Sequence, residues 1–133
     1  MLCAAPSYLA ARGEPTGIDE LASHDCLIFS SRNRRHGWRF RDGHGDWVKA
    51  QGASRLRVDS GEALRDAAVA GLGIAFLPDF SVAGDMAAGR LRQVLPGLQS
   101  EDVKVVTIYP TRRLLEPRVR RFIDLMVDAL ARP

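Results

Sequence analysis

The order of apolar and polar residues predicts alternating strands and helices along most of the chain. The clearest unit is residues 55–78, which has the pattern of a strand, a helix and a second strand. Residues 55–58 alternate charged and apolar side chains, as expected of a strand with one buried face. Residues 74–77 are continuously apolar, as expected of a strand buried on both faces. A helix between two such strands predicts that they run parallel, which indicates an α/β fold.

The ends of this central helix carry residues whose backbone preferences fit a helix terminus. Asp59 or Ser60 supplies an N-cap oxygen, and Asp59 with Glu62 three residues later has the spacing of a capping box. Gly71 is expected to end the helix in the left-handed conformation, and Gly73 is expected to let two backbones approach closely. The helix is therefore predicted between these two groups of residues.

Similar patterns predict the other elements. Before the central unit we expect a strand at 2–5, a helix from 6 to 13, a helical turn at 18–23, a strand at 26–30, and a hairpin of 38–41 with 47–50. After it we expect a helix capped by Asp79, an extended segment at 91–95, a strand at 103–109 and an amphipathic helix that begins at Pro117. Turn-forming residues at 96–102 mark a boundary.

Composition is that of an ordinary globular domain. The chain has 133 residues, of which 46% are hydrophobic and 26% charged, with a net charge of +3. There is no apolar run of the roughly 18 residues that a membrane span needs, and no pattern typical of a signal peptide at the start, so we expect a cytoplasmic protein without membrane contact. Arginines gather in residues 32–41 and 112–121. We interpret both clusters as solvated surface, in preference to a phosphate-binding face.

Candidate catalytic chemistry is sparse. Cys3 and Cys26 are too few and too far apart to indicate a zinc site or a disulfide framework, so we expect two buried thiols. His36 and His44 lie near acids, but the polar end of a hairpin explains them better than a metal site does. Residues 71–73 lack the third glycine of a dinucleotide fingerprint. Because no nucleophile or acid–base pair has a specific spacing, we expect no enzyme activity, no metal and no cofactor.

Four groups of motifs follow one another along almost the whole chain. They are Ala5-Pro6-Ser7-Tyr8-Leu9-Ala10 with Arg12-Gly13, Asp19-Glu20-Leu21-Ala22 with His24-Asp25-Cys26-Leu27, Trp38-Arg39-Phe40, and Gly71-Leu72-Gly73-Ile74-Ala75 with Leu77-Pro78. In this order they resemble the effector-binding (substrate-binding) domain of LysR-type transcriptional regulators. The resemblance implies a Rossmann-like, periplasmic-binding-protein type fold, with a mixed, mainly parallel sheet flanked by helices.

The resemblance also implies a division of the chain. Residues 1–95 correspond to the second effector-binding subdomain, and residues 96–133 to the returning strand and last helix of an incomplete first subdomain. The N-terminal winged helix-turn-helix and the first half of the first subdomain have no counterpart here. Members of this family form dimers, so a homodimer is expected, and DNA is expected to be contacted only through the N-terminal domain that this chain lacks.

The family's fold directs attention to the ends of strands. In an open α/β sheet, ligands bind beyond the carboxyl ends of strands, where helix N-termini direct their amides outward. The resemblance implies that the effector is a small organic acid or an amino-acid-like metabolite. By the strand-end rule we expect this effector to contact polar residues that follow two of the strands, with an aromatic side chain as an apolar wall. These residues are Ser30, Ser31, Arg32, Asp59, Ser60 and Gly61, with Trp38 as the wall. Helix capping is an equal alternative for Asp59 and Ser60, and a solvated loop is the alternative for Arg32.

Two functions stay open at this point. The first is effector sensing and oligomerisation without catalysis. The second is a non-binding structural remnant or protein-interaction fragment whose pocket is incomplete and whose strand at 103–109 offers an unpaired edge.

Overall fold

The computed structural model describes residues 1–30, 38–41, 44–50, 52–100 and 117–130. Residues 1–102 form one compact unit and residues 103–133 a second. The strands of the first unit are β1 (Leu2–Ala4), β2 (Asp25–Phe29), β3 (Trp38–Arg41), β4 (Trp47–Ala50), β5 (Ala53–Val58), β6 (Ile74–Phe76), β7 (Arg92–Val94) and β8 (Gln99–Ser100). Its helices are α1 (Pro6–Arg12), α2 (Gly61–Val69), α3 (Asp79–Ala87) and a 3-10 helix at Asp19–Ser23. In the second unit the structure describes α4 (Pro117–Leu130), which confirms the predicted start at Pro117.

The larger sheet has five strands in the order β5-β2-β6-β1-β7. Strands β5, β2 and β6 run parallel, whereas β1 runs antiparallel to both of its neighbours, β6 and β7. The predicted α/β fold with a mixed, mainly parallel sheet is therefore confirmed. The two strands of the central unit do run in the same direction, but β2 lies between them. They are not the adjacent pair that a direct crossover suggests.

Both faces of this sheet are covered, which explains why its central strands are continuously apolar. Neighbouring residues of one strand enter different cores: Cys26 packs on one side of β2 and Leu27 on the other. The core on the side of Leu27 contains Cys3, Leu27, Leu64, Ala68, Ala75, Leu77, Val82 and Leu91, so it includes buried residues of α2 and α3. The core on the other side contains Leu2, Ala4, Tyr8, Leu9, Leu21, Cys26, Trp38, Phe40, Ala50, Ile74 and Val94.

A second sheet has three strands in the order β4-β3-β8. The hairpin predicted from the sequence is confirmed, since Trp38 pairs with Ala50 and Arg41 with Trp47 in an antiparallel register. Trp38 and Phe40 are buried, as the prediction of a covered aromatic side required. Strand β8 pairs with β3 through Phe40 and Ser100.

Two glycines of the central unit have the roles that the sequence predicts. Gly71 follows α2 with φ of 76°, in the left-handed region that favours glycine. At Gly73 a Cβ atom would collide with the carbonyl oxygen of Asp25, at the start of β2. Because Gly73 precedes β6, this absence of a side chain lets β6 lie directly beside β2.

The structure confirms Ser60 as the N-cap of α2, one of the two predicted alternatives, but the predicted capping box and the predicted Asp79 cap are wrong. Ser60, with extended backbone angles, is the N-cap of α2, and its hydroxyl accepts a 3.2 Å hydrogen bond from the N–H of Ala63. The capping box of Asp59 with Glu62 is therefore out of register by one residue. Asp79 is the first residue of α3 rather than its cap, since Pro78 holds the N-cap position. The Asp79 carboxylate instead lies 3.1 Å from the amino nitrogen of Met1.

Some predictions fall where the structure gives no description. The strand predicted at 103–109 lies outside the described residues. The division of the chain at residue 95 stays a prediction. The compact first unit extends to Asp102 and includes β8, whose pairing with β3 lies beyond that predicted boundary.

Candidate functional site

The carboxyl ends of β2 and β5 lie side by side. The strands are parallel and adjacent, with Phe29 opposite Val58. One residue further on, the backbone N–H of Ser30 donates a 2.6 Å hydrogen bond to the carbonyl oxygen of Val58. This bond places Ser30 against the segment that continues into Asp59 and Ser60. Four of the predicted site residues, Ser30, Asp59, Ser60 and Gly61, thus lie at one edge of the sheet.

The N-terminus of α2 begins at this edge. The first amides of a helix have no intrahelical acceptor, and the aligned peptide dipoles make this end attractive to negative charge. The Ser60 side chain satisfies the amide of Ala63 while its own hydroxyl proton stays available to a further acceptor. Asp59 and Ser60 are exposed and Gly61 is half-buried. The edge can therefore donate hydrogen bonds to an anion, next to one carboxylate that attracts a cation.

Trp38 occupies an aromatic cluster close to β6. Its ring centroid lies 6.5 Å from that of Phe40 and 6.5 Å from that of Phe76, and the rings of Phe40 and Phe76 are 5.3 Å apart. Phe76 is the last residue of β6, so it connects this cluster to the carboxyl ends of the parallel strands. Only 8% of Trp38 is exposed, and most of the indole packs in the core. Sequence reasoning singled out Trp38 but missed Phe76, whose position at the end of a buried strand was the available indication.

The remaining predicted site residues, Ser31 and Arg32, lie outside the described part of the chain, and their contribution stays a prediction. His36, for which the sequence analysis favoured a hairpin end over a metal site, also lies outside the described residues. Among the described residues, no group of three or more His, Cys, Asp and Glu side chains is arranged to hold a metal ion.

An open depression of about 350 Å³ lies at the opposite edge of the sheet, where β2 and β5 begin. It contains the half-buried Asp25, whose Oδ2 lies 3.3 Å from Nη1 of Arg55 and 3.9 Å from Nη2 of Arg12. Helix α1 starts at this edge because β1 runs antiparallel to β6. The lining residues are Ser7, Tyr8, Ala11, Arg12, Asp25, Arg55, Ala70 and Gly71. Sequence reasoning did not find this depression, since its residues come from separate parts of the chain.

Both cysteines lie in the cores rather than at either edge. Burial raises the pKa of the Cys3 thiol to about 11, and burial together with the nearby Asp25 carboxylate raises that of Cys26 to about 11. Thiols with such values stay protonated near neutral pH and are poor nucleophiles. This agrees with the interpretation of Cys3 and Cys26 as buried hydrophobic side chains.

Comparison with known proteins decides the family. The family model described as "LysR substrate binding domain" matches residues 1–131 of this chain. The chain belongs to the LysR substrate-binding domain family. The resemblance noted from its motifs is thereby confirmed.

Individual relatives support the assignment. The chain is 34% identical over 128 residues to the HTH-type transcriptional regulator CrgA of Neisseria meningitidis serogroup C (strain 8013), covering 96% of this chain and 42% of the relative. It is 36% identical over 121 residues to the HTH-type transcriptional activator TtdR of Escherichia coli (strain K12), covering 90% of this chain and 39% of the relative. The chain thus spans about two fifths of the length of the curated relatives it matches.

Solved structures of this family have the same fold. The regulatory domain of CrgA from Neisseria meningitidis superposes with a TM-score of 0.77 at 32% identity, covering 98% of this chain and 64% of the other. Full-length AphB, a virulence activator of Vibrio cholerae, superposes with a TM-score of 0.75 at 26% identity, covering 97% of this chain and 44% of the other. Among the described residues, no helix combines the length and hydropathy that crossing a bilayer requires.

Proposed function

We propose that this chain is the effector-sensing part of a LysR-type transcriptional regulator and that it binds a small organic acid or an amino-acid-like metabolite. The observation that carries the proposal is the hydrogen bond from Ser30 to Val58, which brings the ends of β2 and β5 together beside the N-terminus of α2. Family membership over residues 1–131 favours sensing over a purely structural fragment.

The edge has the groups that such a ligand needs. In this proposal a ligand carboxylate is stabilised by the α2 amides, by the hydroxyls of Ser30 and Ser60, and by the charge of Arg32. The carboxylate of Asp59 suits the ammonium group of an amino-acid-like ligand. Ser31 adds a further hydroxyl in this proposal, and Trp38 with Phe76 supplies the apolar boundary. Ligand binding and capping coexist at Ser60, because the hydroxyl oxygen accepts from Ala63 while its proton can be donated outward.

The wider proposal concerns the regulator as a whole. Its relatives are named as transcriptional regulators and activators, so we infer that this domain acts in the cytoplasm by binding rather than by catalysis. We infer that it works as a homodimer and that promoter recognition belongs to an N-terminal winged helix-turn-helix. In this arrangement, effector binding changes how the dimer presents that domain to DNA.

A thermal-shift screen of the purified chain tests ligand binding. Small carboxylates, amino acids and aromatic acids are the panel, and a ligand at 100 times its dissociation constant should stabilise the protein by about 2.7 kcal/mol. Ser60→Asp is the decisive variant, because aspartate keeps an N-cap oxygen but adds a negative charge that repels a carboxylate ligand. Ser54→Ala, an exposed serine nearer the start of β5, is the control.

We expect a ligand that stabilises the parent and Ser54→Ala but not Ser60→Asp. A cooperative transition that no compound shifts would count against the proposal and would favour the interaction-fragment alternative. A ligand that stabilises Ser60→Asp as much as the parent would show that binding occurs away from the α2 N-terminus.

A further inference from the structure

The depression at the start of β2 carries more positive than negative charge. Nη1 of Arg55 and Nη2 of Arg12 lie 3.3 Å and 3.9 Å from the same oxygen, Oδ2 of Asp25. In the described part of the chain, no acid other than Asp25 lies within ion-pair distance of either guanidinium group. Two arginines therefore share one carboxylate, and a net positive charge remains at the depression.

Both arginines keep hydrogen-bond donors that a ligand can use. A guanidinium group has five N–H donors in a planar fork. Arg55 donates to Asp25 through Nη1, whereas Nη2 of Arg12 donates to the carbonyl oxygen of Ser23 at 3.3 Å. The two side chains are 51% exposed at Arg12 and 56% exposed at Arg55. Their remaining N–H groups can therefore donate in pairs to the oxygens of a bound carboxylate.

The second carboxylate oxygen of Asp25 restricts what can bind. Its Oδ1 atom has no hydrogen bond to a described residue, and no buried side-chain oxygen of the described residues lacks a partner, so Oδ1 is open to solvent. A carboxylate oxygen accepts hydrogen bonds and repels negative charge. A ligand here can donate a hydroxyl proton to Oδ1, but a second negative charge on the ligand would be disfavoured.

The rest of the lining is made of small side chains. The Ser7 hydroxyl lies beside Gly71, where an added Cβ atom would be 3.1 Å from Oγ, so the glycine leaves space next to this hydroxyl. Ala11 and Ala70 add only methyl groups. The volume of about 350 Å³ is near the lower limit of small-molecule sites. A molecule of a few carbon atoms fits this space and finds a further hydrogen-bonding group in Ser7.

We propose that this depression is a second ligand site, which binds a small monocarboxylate with a neighbouring hydroxyl group, such as an α-hydroxy acid. The ligand carboxylate pairs with Arg12 and Arg55, and the ligand hydroxyl donates to Asp25. A phosphate ester or a dicarboxylate would also meet the two arginines, but its second charge would lie against Asp25. The balance of two cations and one anion therefore favours a ligand with a single negative charge.

This site is distinct from the proposed effector site and does not depend on it. Asp25 is the first residue of β2 and Ser30 follows the last, so the two sites lie at opposite ends of one strand. Since both sites are proposed to take organic acids, the test has to report which end of β2 is occupied.

The test follows the backbone amides of the isotopically labelled 133-residue chain by NMR while lactate is added to about 50 mM at neutral pH and constant ionic strength. The test variant is Arg55→Gln. Its matched control is Arg57→Gln, which removes the same charge from an exposed arginine of the same strand that does not line the depression. Ser60→Asp excludes carboxylates from the effector edge. Thermal melting establishes that the three variants are folded.

We expect saturable shifts at the amides of Ser7 and Asp25 in the parent, in Arg57→Gln and in Ser60→Asp. Arg55→Gln should weaken lactate binding about tenfold, as expected for the loss of one charged hydrogen bond. Arg57→Gln should change the affinity much less, because Arg57 does not contact the ligand.

Four outcomes would overturn the proposal. Equal weakening by Arg55→Gln and Arg57→Gln would show that only net charge matters. Shifts confined to the start of α2 and lost in Ser60→Asp would place lactate at the effector edge instead. The absence of saturable shifts would show that the depression holds no ligand of this class. Tighter binding of malonate, a dianion, than of lactate would refute the preference for a single charge.

Discussion

The hydroxyl of Tyr8 lies 3.1 Å from Nδ1 of His24, and both side chains are buried. The same hydroxyl accepts a 2.9 Å hydrogen bond from the backbone N–H of Asp25. One phenol oxygen thus connects α1 to the residue that precedes β2 and to the first residue of that strand. Since the candidate effector edge depends on where β2 ends, this contact at the opposite end helps to fix its position.

Replacing Tyr8 by phenylalanine should therefore destabilise the fold. The substitution keeps the ring but leaves the Asp25 amide and the buried His24 nitrogen without their partner, which costs about 1–3 kcal/mol. Urea unfolding of parent and variant measures the difference. Ser23→Ala is the control, because the exposed Ser23 hydroxyl donates only to the carbonyl of Glu20 at a helix end. A loss for Tyr8→Phe no larger than for Ser23→Ala would contradict the expectation.

Two glycine-to-alanine substitutions should have opposite effects. At Gly73 the new methyl group would collide with the Asp25 carbonyl, so β6 and β2 would have to separate, and we expect a loss of more than about 2 kcal/mol. Gly84 lies within α3, and a Cβ atom added there would have open space, with no atom outside the neighbouring helix backbone within 4 Å. Alanine should therefore stabilise the protein by about 0.5–1 kcal/mol. Thermal and urea unfolding compare both variants with the parent. A tolerated Gly73→Ala would show that the strands approach less closely than described.

Local features of the fold were predictable from the sequence, whereas strand order was not. The conformation of Gly71 and the close approach at Gly73 follow from backbone sterics that act within a few residues. The insertion of β2 between β5 and β6 depends on pairing between distant segments, for which the local pattern carries no information. The capping box failed for a related reason. Asp59 and Ser60 are both good caps, so residue type alone could not choose between them, and the structure has Ser60 at the N-cap position.

The candidate site could be predicted only in part. The general rule for parallel strands located Ser30 and Ser60 at one edge, because it requires only strand direction and the strand ends. It did not indicate how much of Trp38 would be taken up by contacts with Phe40 and Phe76. Such packing depends on the course of the hairpin over the larger sheet. The depression around Asp25 was missed because its lining residues come from separate parts of the chain.

The two thiols should make stability fall at high pH. The pKa of Cys3 and of Cys26 rises from 9.0 in the unfolded chain to about 11 in the fold. A raised folded-state pKa gives a contribution to the free energy of unfolding that is complete below pH 9 and is lost between about pH 9 and 11. Each thiol should contribute a slope of about 1.4 kcal/mol per pH unit within that window.

Urea unfolding at several pH values measures this dependence. A variant with Cys3→Ala and Cys26→Ala should be less stable at pH 8, because it loses packed sulfur atoms, but its stability should fall less steeply between pH 9 and 11. Other groups titrate equally in both proteins, so the difference in slope isolates the thiols. Parallel curves would contradict the prediction.

Asp85 should contribute more to stability than an exposed aspartate with an ion pair of similar length. Its Oδ1 accepts a 2.7 Å hydrogen bond from Nε of Arg90, and its side chain is largely buried. Asp85→Ala should cost about 1.5–3 kcal/mol, since the charged, partly buried hydrogen bond from Arg90 is lost. Asp66 lies 2.8 Å from Arg65 but is exposed, so Asp66→Ala should change stability by about 0.5 kcal/mol or less. Equal effects of the two substitutions in urea unfolding would refute this ranking.

Ser60 combines a structural role with a proposed binding role, and stability measurements can separate the two. Its hydroxyl caps α2, so Ser60→Ala should cost about 1 kcal/mol without any ligand, whereas Ser60→Asn should retain most of the stability because asparagine is an equally good cap. Chemical denaturation without ligand measures the capping contribution alone. If Ser60→Ala and Ser60→Asn are equally destabilised, the loss does not arise from the cap. If only Ser60→Ala is destabilised, the start of α2 is intact in Ser60→Asn. A ligand that then stabilises the parent but not Ser60→Asn must contact residue 60 directly.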